Sequence, residues 1–195
     1  MIELDYSEDF RSINYMQEGN PRQRRCYDIL KRLGIMERLE GFSPLLVGTI
    51  PIDIALPDSD LDIICEVHDM EACSAIMEVY KKQPGFRQAI RTVHGIQRIV
   101  ISFQQEGQWV EVFGQPIPTV EQNGYRHMRI EHKILTLLGS TYRERVRELK
   151  RQGLKTEPAF GELLGLHGDP YQLLLEMEGW TDAELRNFLD KEQIS

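Results

Sequence analysis

Apolar positions Cys26, Ile29, Leu30, Leu33, Met36 and Leu39 recur at helical spacing. They follow Asn20-Pro21-Arg22-Gln23, an N-cap, a proline for the first turn and a glutamine where a capping box needs one. The spacing predicts one helix that stops near Gly41. Pro44-Leu45-Leu46-Val47-Gly48-Thr49 is short, apolar and ends in small residues, which predicts a buried strand running into a tight turn. Leu61, Ile63, Ile64 and Val67 mark a second strand. Asp69 is placed to cap a helix through Ala72, Ile76, Met77 and Tyr80. From Phe86 to Gly114 β-branched and aromatic residues dominate, punctuated by Gly95 and Glu106-Gly107, as in two or three antiparallel strands.

Beyond Pro118 the pattern is helical. Met128, Ile130, Ile134, Leu135, Leu137 and Leu138 share one helix; Val146 and Leu149 belong to a charged second one. Thr156-Glu157-Pro158 and Asp169-Pro170 are helix starts. Thr181-Asp182-Ala183-Glu184 is a capping box, with Trp180 and Leu185 as its apolar staple. The composition changes between Gln115 and Asn123. The expected organisation is an α/β (α+β) core over 1–118, a small mixed sheet with packed helices, and a helical region over 119–195 packed on that core.

Hydrophobic residues make up 41% of the 195 and charged residues 28%, which suits a folded core. The net charge of -8 repels nucleic acid on average, so a polyanion must meet a local basic surface or metal ions. The dense basic stretch is Arg143, Arg145, Arg147, Lys150, Arg151 and Lys155. It reads either as a solvated helix with Glu144–Arg147 and Glu148–Arg151 pairs or as a phosphate-contacting face. Cys26, Cys65 and Cys73 form no Cys-x-x-Cys pair, which points to a reducing compartment. Residues 1–10 are acidic where a secretory signal is basic, and no window nears the ~20 apolar residues of a membrane span. The expected location is the cytoplasm, with no membrane partner.

The chemistry concentrates in Gly48-Thr49, then ten residues, then Asp60-Leu61-Asp62. Residues two apart on a strand share a face, so Asp60 and Asp62 present paired carboxylates while Leu61 and Ile63 enter the core. A hard divalent cation, Mg²⁺ or Mn²⁺, relieves the repulsion between them. Gly48 lets backbone N–H groups approach a phosphate, and the Thr49 hydroxyl adds a donor. Glu111 is a lone acid between Val110 and Val112, on the face the aspartates occupy, suited to be a third ligand or a base. Such a site demands that Gly48, Asp60, Asp62 and Glu111 converge.

Gly48-Thr49, the spacing, Asp60-Leu61-Asp62 and a later strand acid resemble the signature of the DNA polymerase beta-like nucleotidyltransferase superfamily. Thr49 stands where serine or glycine is commoner, and Glu111 where aspartate is. A closer resemblance is to a bacterial family of unknown function, DUF4269. It rests on Gly48-Thr49-Ile50-Pro51, Ser59-Asp60-Leu61-Asp62, Tyr125-Arg126-His127-Met128, Lys155-Thr156-Glu157-Pro158-Ala159-Phe160 and Gly168-Asp169-Pro170-Tyr171. The superfamily resemblance implies metals held by Asp60, Asp62 and Glu111 and transfer of a nucleoside monophosphate from a nucleoside triphosphate to a hydroxyl of a small molecule, protein or RNA. Hydrolysis of a nucleotide polyphosphate calls for the same acids; it differs in needing no second, acceptor-sized pocket near Glu111. A non-catalytic, antitoxin-like nucleotide-binding protein is the third reading, and intact carboxylates argue against it. Asp53 and Asp58 read as loop acids. His127 and Glu131, four apart, read as an ordinary polar helix face, with a metal-binding or acid/base pair as the alternative.

Overall fold

A computed structural model describes residues 10–192; the acidic segment 1–9 lies outside the described residues. The described residues form two compact units, 10–51 with 59–125 and 52–58 with 126–192. Among them no helix is long and apolar enough to cross a membrane.

The first unit holds a five-stranded sheet: β1 (Leu45–Val47), β2 (Leu61–Glu66), β3 (Arg87–Val93), β4 (Ile96–Gln105) and β5 (Gln108–Gln115). The spatial order is β1-β2-β5-β4-β3, and β2 runs parallel to β5 while every other pairing is antiparallel. The turns His94-Gly95 and Glu106-Gly107 are two-residue hairpin loops with φ of 51°, 78°, 53° and 77°. Positive φ at both central residues matches the twist of the flanking strands.

Strand alternation divides the sheet into two unlike faces. Leu61, Ile63, Cys65, Ile99, Ile101, Phe103, Val110 and Val112 are all fully buried on one side. Helix α1 (Pro21–Leu33) adds Cys26, Ile29 and Leu30 to the same unit's core, α2 (Ile35–Arg38) adds Ile35, and α3 (Met70–Met77) adds Cys73 and Met77. A 3-10 turn, Glu78–Tyr80, closes this layer: the Tyr80 ring stacks on Phe103 at 5.0 Å, and its hydroxyl donates to the Leu33 carbonyl at 2.8 Å. Burial pushes the thiols of Cys26, Cys65 and Cys73 up, so none is a ready thiolate.

The expected continuous helix to Gly41 is broken. Gly34, at φ 60° and ψ 25°, is a left-handed C-cap whose N–H donates to the carbonyls of Leu30 and Lys31. Glycine adopts this conformation without a Cβ penalty, and it stops α1 seven residues early although the apolar spacing continues. The Asn20–Gln23 capping box and the Asp69 cap are present as expected.

The second unit contains most of α4 (Asn123–Leu138), then α5 (Ser140–Arg151), α6 (Thr156–Leu163), α7 (Pro170–Met177) and α8 (Asp182–Glu192). Met128, Ile134, Leu135, Val146, Leu149, Phe160, Leu174 and Leu185 form its interior. The Thr181–Glu184 box closes in both directions, at 2.7 and 3.3 Å. Trp180 meets Phe188 edge to face at 5.6 Å, a partner one turn beyond the expected Leu185.

The basic stretch divides its labour. Arg147 bonds the Asp53 carbonyl and carboxylate, and Lys150 donates to the Ile54 carbonyl at 3.1 Å, so both hold the loop 52–58. The Glu144–Arg147 pair forms at 3.0 Å; Glu148 takes Arg145, leaving Arg151 to Glu144.

Phe103 is among the largest fully buried side chains and the one on which Tyr80 stacks. Phe103→Ala is expected to cost about 4 kcal/mol in urea unfolding, through lost transfer energy and the cavity left behind. A loss under about 1 kcal/mol would contradict this packing account.

Candidate functional site

The ladder between β2 and β5 sets Asp62 directly opposite Glu111, and the ladder between β1 and β2 sets Val47 opposite Asp62. Paired residues project to the same side. The two acids therefore stand side by side on the face away from the Leu61–Val110 core. Gly48 follows β1 at φ 85°; a Cβ placed there would lie 2.5 Å from Asp62 Oδ2. The Asp62 carboxylate thus rests against the Gly48 backbone, which only glycine permits. The Thr49 hydroxyl donates to Ser59 Oγ at 3.3 Å and ties the turn to the residue before Asp60. Burial pushes the Glu111 carboxyl up, and the Asp60 charge adds to it. Gly48, Thr49, Asp60, Asp62 and Glu111 are thereby brought together in one unit.

Three residues that carry no motif hold this arrangement. The Gln23 side-chain amide donates to the carbonyls of Ile50 and Pro51, both at 3.0 Å, while its Oε1 closes the capping box by accepting from Asn20 N. Arg22 and Gln108 both donate to the Ser59 carbonyl, at 3.0 and 2.8 Å. Sequence reading finds Gln23 as a helix cap. Its second role has no local signal, because the carbonyls it holds lie about 30 residues away.

The acids also border a hollow. A cavity of about 460 Å³ is lined by Asp62, Glu111, Phe113, Arg98, Gln122 and Gly124. A larger hollow of about 740 Å³, bordered by Lys31, Glu37, Leu45 and Glu66, includes none of the predicted site residues. Oxygen-only donors such as Asp60, Asp62 and Glu111 fit Mg²⁺ or Mn²⁺ by type. Among the described residues no three His, Cys, Asp or Glu side chains are already arranged as a metal-holding group.

In the helical unit, His127 and Glu131 are 6% and 3% exposed, not an ordinary polar face. They align at i, i+4 with Ile134 and Leu135, on the stripe the helix buries. His127 Nε2 lies 3.0 Å from the Tyr171 carbonyl and Nδ1 lies 3.4 Å from Glu157 Oε1. His127, Glu157 and Tyr171 each come from a different one of the motifs Tyr125–Met128, Lys155–Phe160 and Gly168–Tyr171. Burial pushes the Glu131 carboxyl well up, Glu157 pushes the same way, and Lys150 opposes. Burial likewise pulls His132 down to about 4.

The family DUF4269, a domain of unknown function, matches residues 28–177. No curated protein matches the sequence. Among solved structures, the chain is similar to the Cid1 poly(U) polymerase with MgGTP bound, with a TM-score of 0.51 and 15% identity, over 78% of this chain and 49% of that one. A second Cid1 structure, described for its RNA terminal uridylyl transferase activity, gives 0.51 and 15%, over 78% and 48%. A third, with Mg 3'-dATP bound, gives 0.50 and 15%, over 84% and 48%. The chain spans about half the length of these structures. At this identity the likeness shows the fold, which is nucleotidyltransferase-like.

The Glu131 environment has a consequence for stability. The folded state holds this proton more tightly than the unfolded chain, so the group's contribution is full below the ordinary glutamate pKa and is lost as pH rises through the raised value. Glu131→Gln removes the ionisation. The variant's Tm is expected to exceed the parent's by ~3 °C at pH 8, with the gap closing toward pH 4.5. A gap that widens on acidification would reverse the sign.

Proposed function

The chain belongs to the DUF4269 family, and we propose that it is a divalent-metal-dependent nucleotidyltransferase of the DNA polymerase beta-like superfamily. It would move a nucleoside monophosphate from a nucleoside triphosphate to a hydroxyl acceptor. One observation carries this reading: Asp62 and Glu111 stand directly opposite on parallel strands, beside a glycine turn and an open cavity. Hydrolysis would use the same acids with water as acceptor, and a second, acceptor-sized pocket near Glu111 would distinguish transfer from it.

Asp60, Asp62 and Glu111 would hold Mg²⁺ or Mn²⁺, which neutralises phosphate charge and makes the acceptor hydroxyl more acidic. The chain's own residues do the positioning. Gly48 lets the Asp62 carboxylate lie against the backbone of the turn, and the Thr49 hydroxyl, in the same turn, would add a donor toward phosphate. Gln23, Arg22 and Gln108 fix the loop and the start of β2 by holding the Ile50, Pro51 and Ser59 carbonyls. The acceptor oxygen forms the new bond to the α-phosphorus as the bond to the β-phosphate oxygen breaks. Pyrophosphate leaves with that electron pair, and the hydroxyl proton passes to a base. Three free, buried cysteines suit the cytoplasm as the place of action.

Calorimetric titration of ATP and GTP tests the site, with Mg²⁺, with EDTA, and in Asp60→Ala/Asp62→Ala. Binding with Mg²⁺ is expected to weaken at least ~10-fold in EDTA and in the variant, about 1.4 kcal/mol or more. No binding by the folded parent under any condition would overturn the proposal in favour of a non-catalytic role.

A further inference from the structure

The face that carries the acids also carries cations. Across the sheet Glu111 faces Ser102, and Ser102 faces Arg87; further along, Phe113 faces Val100, and Arg98 on β4 faces Arg91 on β3. Two guanidinium groups directly opposite on an antiparallel pair repel each other. Arg91 is exposed and reaches water. Arg98 is half-buried: its guanidinium carbon lies 6.0 Å from the Phe113 ring centroid, and its Nε is buried with no hydrogen-bond partner among the described residues.

With 31 Asp and Glu against 23 Lys and Arg, carboxylates are in excess. Arg32, Arg126, Arg145, Arg147 and Arg151 each hold one. Arg98 makes no ion pair among the described residues, yet it lines the cavity with Asp62 and Glu111. A buried polar group without a partner is costly, and a planar guanidinium matches a carboxylate or phosphate in two parallel bonds.

Gln122 adds a second constraint on the same cavity. It is 3% exposed, and its amide nitrogen donates to the Cys65 and Ile117 carbonyls at 3.0 and 2.9 Å. That fixes the orientation of the amide and leaves Oε1 buried without a donor among the described residues. The cavity is therefore lined by one half-buried guanidinium and by a glutamine whose Oε1 is buried without a donor among the described residues.

We propose that the acceptor is a small hydroxyl compound bearing an anionic group, carboxylate or phosphate, and that Arg98 binds that group. This rests on the transfer reading of the same site. Phe113, beneath the guanidinium, is two residues from Glu111, on the order of 7 Å along a strand. The anion and the reacting hydroxyl are separated by about that distance. The anionic group takes no part in the bond changes; it sets which molecule is held.

Two experiments test this. In ¹⁵N–¹H spectra of arginine Nε groups, Arg98 (identified by its loss in Arg98→Lys) is titrated with inorganic phosphate and with malonate, without nucleotide. A saturable shift of Arg98 with either anion, absent from Arg87 and Arg91, is expected; the stronger of the two identifies the anion. No shift, or one equal linear drift of all arginines, overturns the proposal. Transfer from α-labelled ATP and GTP is then compared among glycerol, glycerate and glycerol 3-phosphate. The parent is expected to prefer an anionic acceptor, and the ratio of kcat/KM for anionic over neutral acceptor falls at least ~100-fold in Arg98→Gln and is partly restored in Arg98→Lys. An unchanged ratio overturns it. If nucleotide binding itself fails, the transfer reading falls, and the anion titration still reports on Arg98 alone. If nucleotide binds normally while Arg98 ignores anions, only the acceptor inference falls.

Discussion

Everything at the candidate site depends on one pairing, the parallel ladder between β2 and β5. It is the sole parallel pairing in the sheet, and it sets Asp62 beside Glu111 although the two are far apart in sequence. A parallel neighbour cannot be reached by a tight turn. The chain leaves β2, builds α3, lays down the β3–β4 hairpin and returns as β5. Those intervening elements are the crossover that this geometry requires, and β4 and β3 then extend the face that carries the acids.

The second constraint is the loop after Gly48-Thr49. A turn that approaches a carboxylate as closely as Gly48 approaches Asp62 has little conformational freedom of its own. It is held by the first turn of α1: Gln23 reaches the Ile50 and Pro51 carbonyls from the same side chain that caps the helix. The cap of α1 and the geometry of the loop therefore share one side chain. A chain that failed to cap α1 would also leave the turn unheld, which ties local folding to the readiness of the site.

Much of this was legible from residue order, for physical reasons. Strand alternation has a period of two, so Asp60-Leu61-Asp62 and Val110-Glu111-Val112 announce which side chains share a face. Capping boxes are local, and those at Asn20 and Thr181 form as read. What stayed hidden is non-local or ambiguous. Gly34 interrupts α1 although apolar spacing runs through it, because pattern reports burial and not the backbone angle. His127 and Glu131 look like solvated polar residues, and only the packing of α6 and α7 reveals that their stripe is the buried one. Arg98 carries no motif at all: its meaning comes from a buried Nε that no hydrogen bond among the described residues satisfies.

The arginines of the outer strand have another effect. The sheet ends at β1, only three residues long, and at β3, whose Arg87, Gln88, Ile90 and Arg91 are all exposed. A long, flat, apolar edge recruits strands from other molecules, whereas short edges and projecting cations discourage it. By that rule Arg87 and Arg91 make the β3 edge a poorer template for strand addition. Neutralising them would ease the repulsion at Arg98 and at the same time leave an open edge for edge-to-edge assembly, so the colloidal behaviour of the molecule and the charge of its acid-bearing face are set by the same side chains.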